Sequence, residues 1–419
     1  FQITDAAASM NPITKASLQL VYGNYIPHVV RDFFRIAELE KPGPTHIELP
    51  EDIAAEEIDR KPFAVTEVLP AGASQTALQK AADMIMAAKR PLLLIASGAN
   101  RHKTHTALRS FVDQTGLFFF TTQMGKGAVD ERHPGCLGTA ARSADDYLHS
   151  AVEQADLILN VGHDVSEKPP FFMESGDKTQ VIHLNYTPAE MDDVYFPHHE
   201  VIGCVGTNLR QLAEMVRKTD NRDDEYFQKL KAAIDDNVFC RSDSESFPNI
   251  PQRVVSDVRE AMPDDGILSL DNGMYKLWFA RNYRAHEPNT VLLDNALATM
   301  GAGLPGAMAA KMVHPDKPVL AICGDGGFMM NSQELETAVR LKLSFVVIIL
   351  EDSGYGMIKW KQTSMEFADF GLAFGNPDFI KYAEAYGARG TRITKTGELI
   401  GVLQKCFAEG GVHLVEVPV

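Results

Sequence analysis

The chain has 419 residues, of which 45% are hydrophobic and 23% charged, enough for two or three domains with a sizeable core. Its formal net charge is −16 and its pI about 5.3, which excludes a phosphate-backbone partner: nucleic acid calls for clustered Lys and Arg. The five cysteines (Cys136, Cys204, Cys240, Cys323, Cys406) are scattered and show no CxxC spacing, so neither a disulfide framework nor a zinc site is expected and a reducing cytoplasm is the default.

No apolar run approaches a membrane span and no signal peptide opens the chain. The first residue is Phe1, and FQITDAAASMNP does not read as a natural start, so a fragment is expected. Residues 1–55 resemble the back end of an α/β domain. Ile26 to Ala37 has helical spacing, Pro42-Gly43-Pro44 is a turn, and Thr45 to Leu49 is a strand stopped by Pro50. Prolines and alternating charge make residues 56–73 a linker.

Residues 74–219 alternate strand and helix: strands at Pro91–Ala96, Leu117–Phe120, Ala155–Val161 and Val181–Leu184, with Ser74 capping the first helix. That alternation predicts a parallel sheet with crossover helices. Residues 220–250 are charged and helical up to the connector SFPNIP. The last domain spans 251–419. Its strand Ile267–Leu270 runs into Asp271-Asn272-Gly273-Met274-Tyr275, which opens a helix through Trp278. A strand–turn–helix junction of this kind can offer backbone N–H groups to an anion; a plain helix start capped by Asn272 is the alternative. GAGLPG, Gly301 to Gly306, matches G-x-G-x-x-G literally, but DNALATM before it is too irregular for the strand a dinucleotide fingerprint requires.

The stretch Pro318 to Gln362 organises the domain. Val319–Cys323 is a strand ending at Gly324-Asp325-Gly326-Gly327, with a helix expected after Phe328. Asn331, three residues before Glu334, is a candidate N-cap with a reciprocal carboxylate. The second strand, Phe345–Leu350, ends at Glu351-Asp352, followed by Gly354 and Gly356. In a right-handed βαβ unit both loops leave the same sheet edge, so Asp325 and Asp352 can meet. Two carboxylates on glycine loops suit a Mg²⁺ ion that bridges a bound diphosphate. A turn plus an unrelated surface acid is the bland alternative.

GDGGF followed by EDSGYGM resembles the metal–diphosphate motif of thiamine-diphosphate-dependent enzymes. NPITK, PGPTHIELPEDI, GKGAVDERHPGCLGTA, ADLILNVG, NALATMGAGLPGAM and FGNPDFIKYAEAYGA extend the resemblance, which is closest to acetolactate synthase large subunits, over nearly the whole chain. It implies three α/β domains: the C-terminal remnant of a pyrimidine-binding domain, a central Rossmann-like domain and a domain for thiamine diphosphate and metal. It implies metal ligation by Asp325, Asp352 and the Gly354 carbonyl. Cofactor contacts are implied for Asn272, Gly273, Met274, Tyr275, Ala298, Met300, Asp325, Gly326, Gly327, Gly356 and Met357. Met300 would support the bent cofactor, with ordinary core packing the alternative. Relatives commonly carry Gln-His where Met274-Tyr275 stand, which leaves the backbone contact but weakens the side-chain one.

The activating glutamate of the family would lie before Phe1, so no catalytic residue is assigned in this chain. FAD is not expected, because His163-Asp164-Val165 stands where flavin-containing members have an arginine after the glycine. GMIKWKQ puts Trp360 one position earlier than the family's acceptor-selecting tryptophan, with Lys361 in its register, which favours pyruvate over 2-oxobutyrate as acceptor. Gln362 to Gly375 could form a lid. The implied substrates are small 2-oxo acids, the implied assembly a homodimer or homotetramer, and a regulatory small subunit is left open. The implied reaction is condensation of two pyruvates to acetolactate with loss of CO₂. The alternatives are a different carboligase or decarboxylase, such as glyoxylate carboligase, and a non-catalytic cofactor-binding fragment.

Overall fold

A computed structural model describes residues 4–64, 70–101, 104–141, 147–167, 171–174, 176 and 178–419. The chain forms two compact units, Phe1–Gly72 and Ala73–Val419. In the first, β1 (Ala16–Gln19) pairs in parallel with β2 (Thr45–Glu48), and the amphipathic helix Ile26–Glu38 makes the crossover. Leu20 and Phe33 are its buried apolar side chains.

The second unit holds two six-stranded, all-parallel sheets. In the first, the order is β5-β4-β3-β6-β7-β8, from β3 (Pro91–Ile95), β4 (Phe118–Thr121), β5 (Cys136–Thr139), β6 (Leu157–Val161), β7 (Gln180–Asn185) and β8 (His199–Ile202). Side chains of a strand alternate between faces, and both faces here are covered, which is why these strands read as unbroken apolar runs. Leu93, Ile95, Phe119 and Leu159 pack against the helices Gln75–Ala87, Thr104–Thr115 and Val205–Met215. Leu92, Leu94, Phe120 and Ile158 face the other way, toward Phe227, Ile234 and Val238 of the helix Asp224–Val238. Full burial of each such side chain contributes roughly 1.5–3 kcal/mol.

The second sheet has the order β10-β9-β11-β12-β14-β13, with β9 (Ile267–Leu270), β10 (Val291–Leu292), β11 (Val319–Gly324), β12 (Phe345–Glu351), β13 (Arg389–Arg392) and β14 (Val412–Pro418). After β9 the helix Met274–Asn282 packs with Phe279 on one face, beside Leu268, Ile322 and Ile348. After β11 the chain packs Phe328, Leu335 and Ala338 on the opposite face, beside Val319, Val347 and Leu414. The crossovers therefore change sides between neighbouring β9 and β11, and a crevice opens at their carboxyl ends. No strand runs directly into Gly301: β10 ends at Leu292, residues 294–300 are irregular, and the helix begins at Gly303.

A buried ion pair ties the two sheets' surroundings together. Lys126 Nζ donates to Glu131 Oε2 at 2.8 Å and to Thr139 Oγ1 at 2.9 Å, and the same Glu131 oxygen accepts from Ala285 N at 2.8 Å.

Candidate cofactor and metal site

The sequence places acids and glycines after β9, β11 and β12, and the fold brings them to one cavity. Its lining includes Asn272, Gly273, Met274, Tyr275, Met300, Asp325, Gly326, Gly327, Asp352, Gly354, Gly356 and Met357. Ala298 does not line that cavity; it is exposed on the 294–300 loop with φ 51°.

The glycine loop is tighter than expected. The helix starts at Asp325 itself, with Gly324 as N-cap, rather than after Phe328. Gly326 and Gly327 thus fall in its first turn, where N–H groups have no intrahelical acceptor. The helix stops at Met330, and a second begins at Glu334 with Gln333, not Asn331, as its cap residue. The Asn331 side chain instead donates to Gly301 O at 2.8 Å, fastening the GAGLPG turn to the glycine loop. A tertiary partner has displaced the capping box.

Asp325 is almost fully buried. Its Oδ1 accepts from Gly326 N at 2.7 Å, and its Oδ2 accepts from Ser353 N at 2.7 Å and Asn376 Nδ2 at 2.8 Å. Asp352 accepts from the Tyr275 hydroxyl at 2.8 Å on Oδ2 and from Gly354 N at 3.3 Å on Oδ1. Burial raises the Asp352 carboxyl above the ordinary range; the Tyr275 hydrogen bond opposes this and the Asp325 charge adds to it. Two carboxylates that press on one another in a half-buried cleft are relieved by a cation between them. The Gly354 carbonyl accepts one long bond, 3.2 Å from Gly356 N, and keeps a lone pair open. Among the described residues no group of three or more His, Cys, Asp or Glu side chains is arranged to hold a metal. Two acids and a carbonyl would leave the rest of an octahedral shell to phosphate and water, as Mg²⁺ prefers.

Four further residues shape the cleft. Asp271 Oδ1 accepts from Asn272 N at 2.8 Å, Gly301 N at 2.8 Å and Ala302 N at 3.1 Å, so one carboxylate joins the turns after β9 and β10. Its other oxygen is buried without a partner, and burial pushes its pKa up. Lys276 is buried, donating to Asn272 Oδ1 at 2.7 Å and to the Asp294 carbonyl, and burial lowers its pKa to about 8. Glu351 Oε1 accepts from Ser353 Oγ at 2.8 Å and, with Asn376, backs the two acids. Lys276 was detectable, since with Phe279, Ala280 and Tyr283 it falls on the buried stripe of its helix. Asp271 stands in the DNGMY run itself. Asn376 gave no local signal, because it lies far along the chain from the aspartate it touches. From the first sheet, Glu167 reaches this edge: it accepts from Thr122 Oγ1 at 2.6 Å, Met124 N at 3.0 Å and Asn295 Nδ2 at 3.0 Å.

The segment beyond Gly356 is a helix, Gly356–Ser364, with no buried residue, and Trp360 is 49% exposed. The chain then folds back, with a bridge between Gly354 and Ala373 and with Tyr355 N donating to Leu372 O at 3.1 Å.

Parallel α/β domains with glycines and acids converging at a sheet's carboxyl edge define a class of enzymes that hold a phosphorylated cofactor there. Comparison with known proteins narrows the class. Residues 271–417 match the family "Thiamine pyrophosphate enzyme, C-terminal TPP binding domain", and residues 78–212 match "Thiamine pyrophosphate enzyme, central domain". The acetolactate synthase of Bacillus subtilis (strain 168) is 31% identical over 426 residues, covering 100% of this chain and 74% of that protein. The catabolic acetolactate synthase of Raoultella terrigena is 30% identical, covering 100% and 76%. A probable acetolactate synthase large subunit of Methanococcus aeolicus is 29% identical, covering 97% and 72%. The chain belongs to the thiamine-pyrophosphate-dependent enzyme family, within its transferase and lyase members. No helix among the described residues is long and apolar enough to cross a membrane.

Proposed function

We propose that the protein is a thiamine-diphosphate- and Mg²⁺-dependent carboligase that joins two 2-oxo acids with loss of CO₂, making acetolactate from two pyruvates. The observation that carries this reading is the convergence of Asp325 and Asp352, from β11 and β12, on the cavity lined by Gly326, Gly327 and Gly356. In it, Asp325, Asp352 and the Gly354 carbonyl hold the cation. Tyr275 steadies Asp352 through its hydroxyl, and the N–H groups at the start of the helices Met274–Asn282 and Asp325–Met330 face the diphosphate. Met300 and Met357 supply apolar walls. When bound, the thiazolium ring supplies the electron sink for decarboxylation and the carbon nucleophile for ligation. The protein's share is to orient that ring and keep water away from it.

Trp360 standing one position before the family's acceptor-selecting tryptophan, with Lys361 in its register, supports pyruvate over a bulkier acceptor. The first sheet serves in this reading as a scaffold without flavin. The free thiols fit a reducing cytoplasm. A relative named as a large subunit makes an oligomer with a small regulatory partner part of the same proposal. Incubation with pyruvate, thiamine diphosphate and Mg²⁺ should yield acetolactate and CO₂. Acetaldehyde without acetolactate would instead make the protein a decarboxylase.

A further inference from the structure

We propose that Asn376, together with the Ser353 amide, makes Asp325 a one-oxygen ligand and so sets the preference of the site for Mg²⁺ over Ca²⁺. This rests on the cation reading above and adds a positioning residue to it.

An ionised carboxylate oxygen offers about two lone-pair directions. Both directions on Asp325 Oδ2 are taken, by Ser353 N at 2.7 Å and Asn376 Nδ2 at 2.8 Å. Oδ1 carries one bond, from Gly326 N at 2.7 Å, and keeps the other direction open. A cation meeting this side chain therefore finds Oδ1 less occupied than Oδ2, where it would compete with two short bonds. The Asn376 amide is fixed by more than Asp325: its Nδ2 also lies 3.3 Å from Glu351 Oε1 and 3.3 Å from Ser353 Oγ. Turning the amide over would aim its oxygen at two carboxylates, so the nitrogen must face them. Its own oxygen is buried with no partner, so the acceptor end does not set the orientation. A neutral amide suits the task. It occupies an oxygen without cancelling the negative charge that the cation needs, as a Lys or Arg would.

Blocking one oxygen has a chemical consequence. Mg²⁺ demands near-octahedral geometry at short distance, whereas Ca²⁺ takes six to eight oxygens and readily grips a carboxylate by both. With Oδ2 filled, the two-oxygen grip is closed at Asp325. Removing the amide opens it.

The test uses the cation concentration that half-saturates thiamine diphosphate binding, measured with Mg²⁺ and separately with Ca²⁺ by quenching of tryptophan fluorescence. Asn376→Ala should raise the Mg²⁺ requirement by about tenfold, the lower end for loss of a partner that orients a metal ligand. The Ca²⁺ requirement should stay level or fall, so the preference for Mg²⁺ shrinks by about the same factor. Asn376→Asp keeps the shape, removes the donor and should lose at least as much; it also serves if the alanine variant does not fold. A parallel rise with both cations is what a merely structural residue gives, and it would overturn the proposal, as would an unchanged Mg²⁺ requirement. If the unaltered protein binds no thiamine diphosphate with either cation, the cation reading itself falls, and the role of Asn376 with it.

Discussion

Gly327→Ala strikes the junction on which the cleft is built. A Cβ at Gly327 would lie 2.3 Å from Asp271 Oδ2 and 3.1 Å from Asp271 Cγ, far inside contact distance. The carboxylate cannot swing away cheaply, because its other oxygen accepts from the N–H groups of Asn272, Gly301 and Ala302. Overpacking alone costs about 1–3 kcal/mol. Loss of even one hydrogen bond to a charged group adds about 1.5–3 kcal/mol. A total of about 3–5 kcal/mol is therefore expected, with weakened thiamine diphosphate binding because the turns after β9 and β10 move together. Gly326→Ala is the internal control. Its Cβ would meet Tyr355 Cε1 at 2.9 Å and Phe374 Cζ at 3.1 Å, ring edges that can rotate aside, so about 1 kcal/mol is expected. Denaturant midpoints and cofactor titrations of both variants decide the matter. Equal, small effects of the two substitutions would refute the role given to Asp271.

Lys276 gives a pH test. Its pKa in the fold is about 8 against 10.5 for the free side chain, so the unfolded chain binds more protons between those values and stability should rise with pH there, by up to roughly 3 kcal/mol. The groups facing it are Asn272, Asp294, Glu167 and Asp271. In Lys276→Met that rise should vanish; an identical pH dependence of the denaturation midpoint in both proteins would contradict it. Lys126→Met should cost about 3–5 kcal/mol by leaving Glu131 charged and buried. The double variant with Glu131→Gln should recover most of that loss, and a double variant no more stable than the single one would rule out the ion-pair explanation.

Much of the frame was readable because both sheets are buried on two faces. Ile267–Leu270 and Phe345–Leu350 stand out as apolar runs, and the acids that end them are conspicuous against glycine. What depends on distant contacts was hidden. Asn331 followed by Glu334 looks like a capping box, yet the nearby Gly301 carbonyl claims the Asn331 side chain. Lys126 is a lysine that a surface-seeking rule sends to solvent, while the fold buries it against Glu131. Strands β5 and β8 lie at the two edges of their sheet, and their short sequences, CLGT and HEVI, carry too little alternation to announce themselves.

The most direct test is a titration of thiamine diphosphate with and without Mg²⁺, followed by the fluorescence of the two tryptophans, Trp278 and Trp360. Each sits on a helix whose first residue, Met274 or Gly356, lines the cavity. Saturable quenching that needs Mg²⁺, disappears with EDTA, and is lost in both Asp325→Asn and Asp352→Ala is the expected result. Binding that persists in EDTA, or survives undiminished in either variant, would contradict a cation held between the ends of β11 and β12.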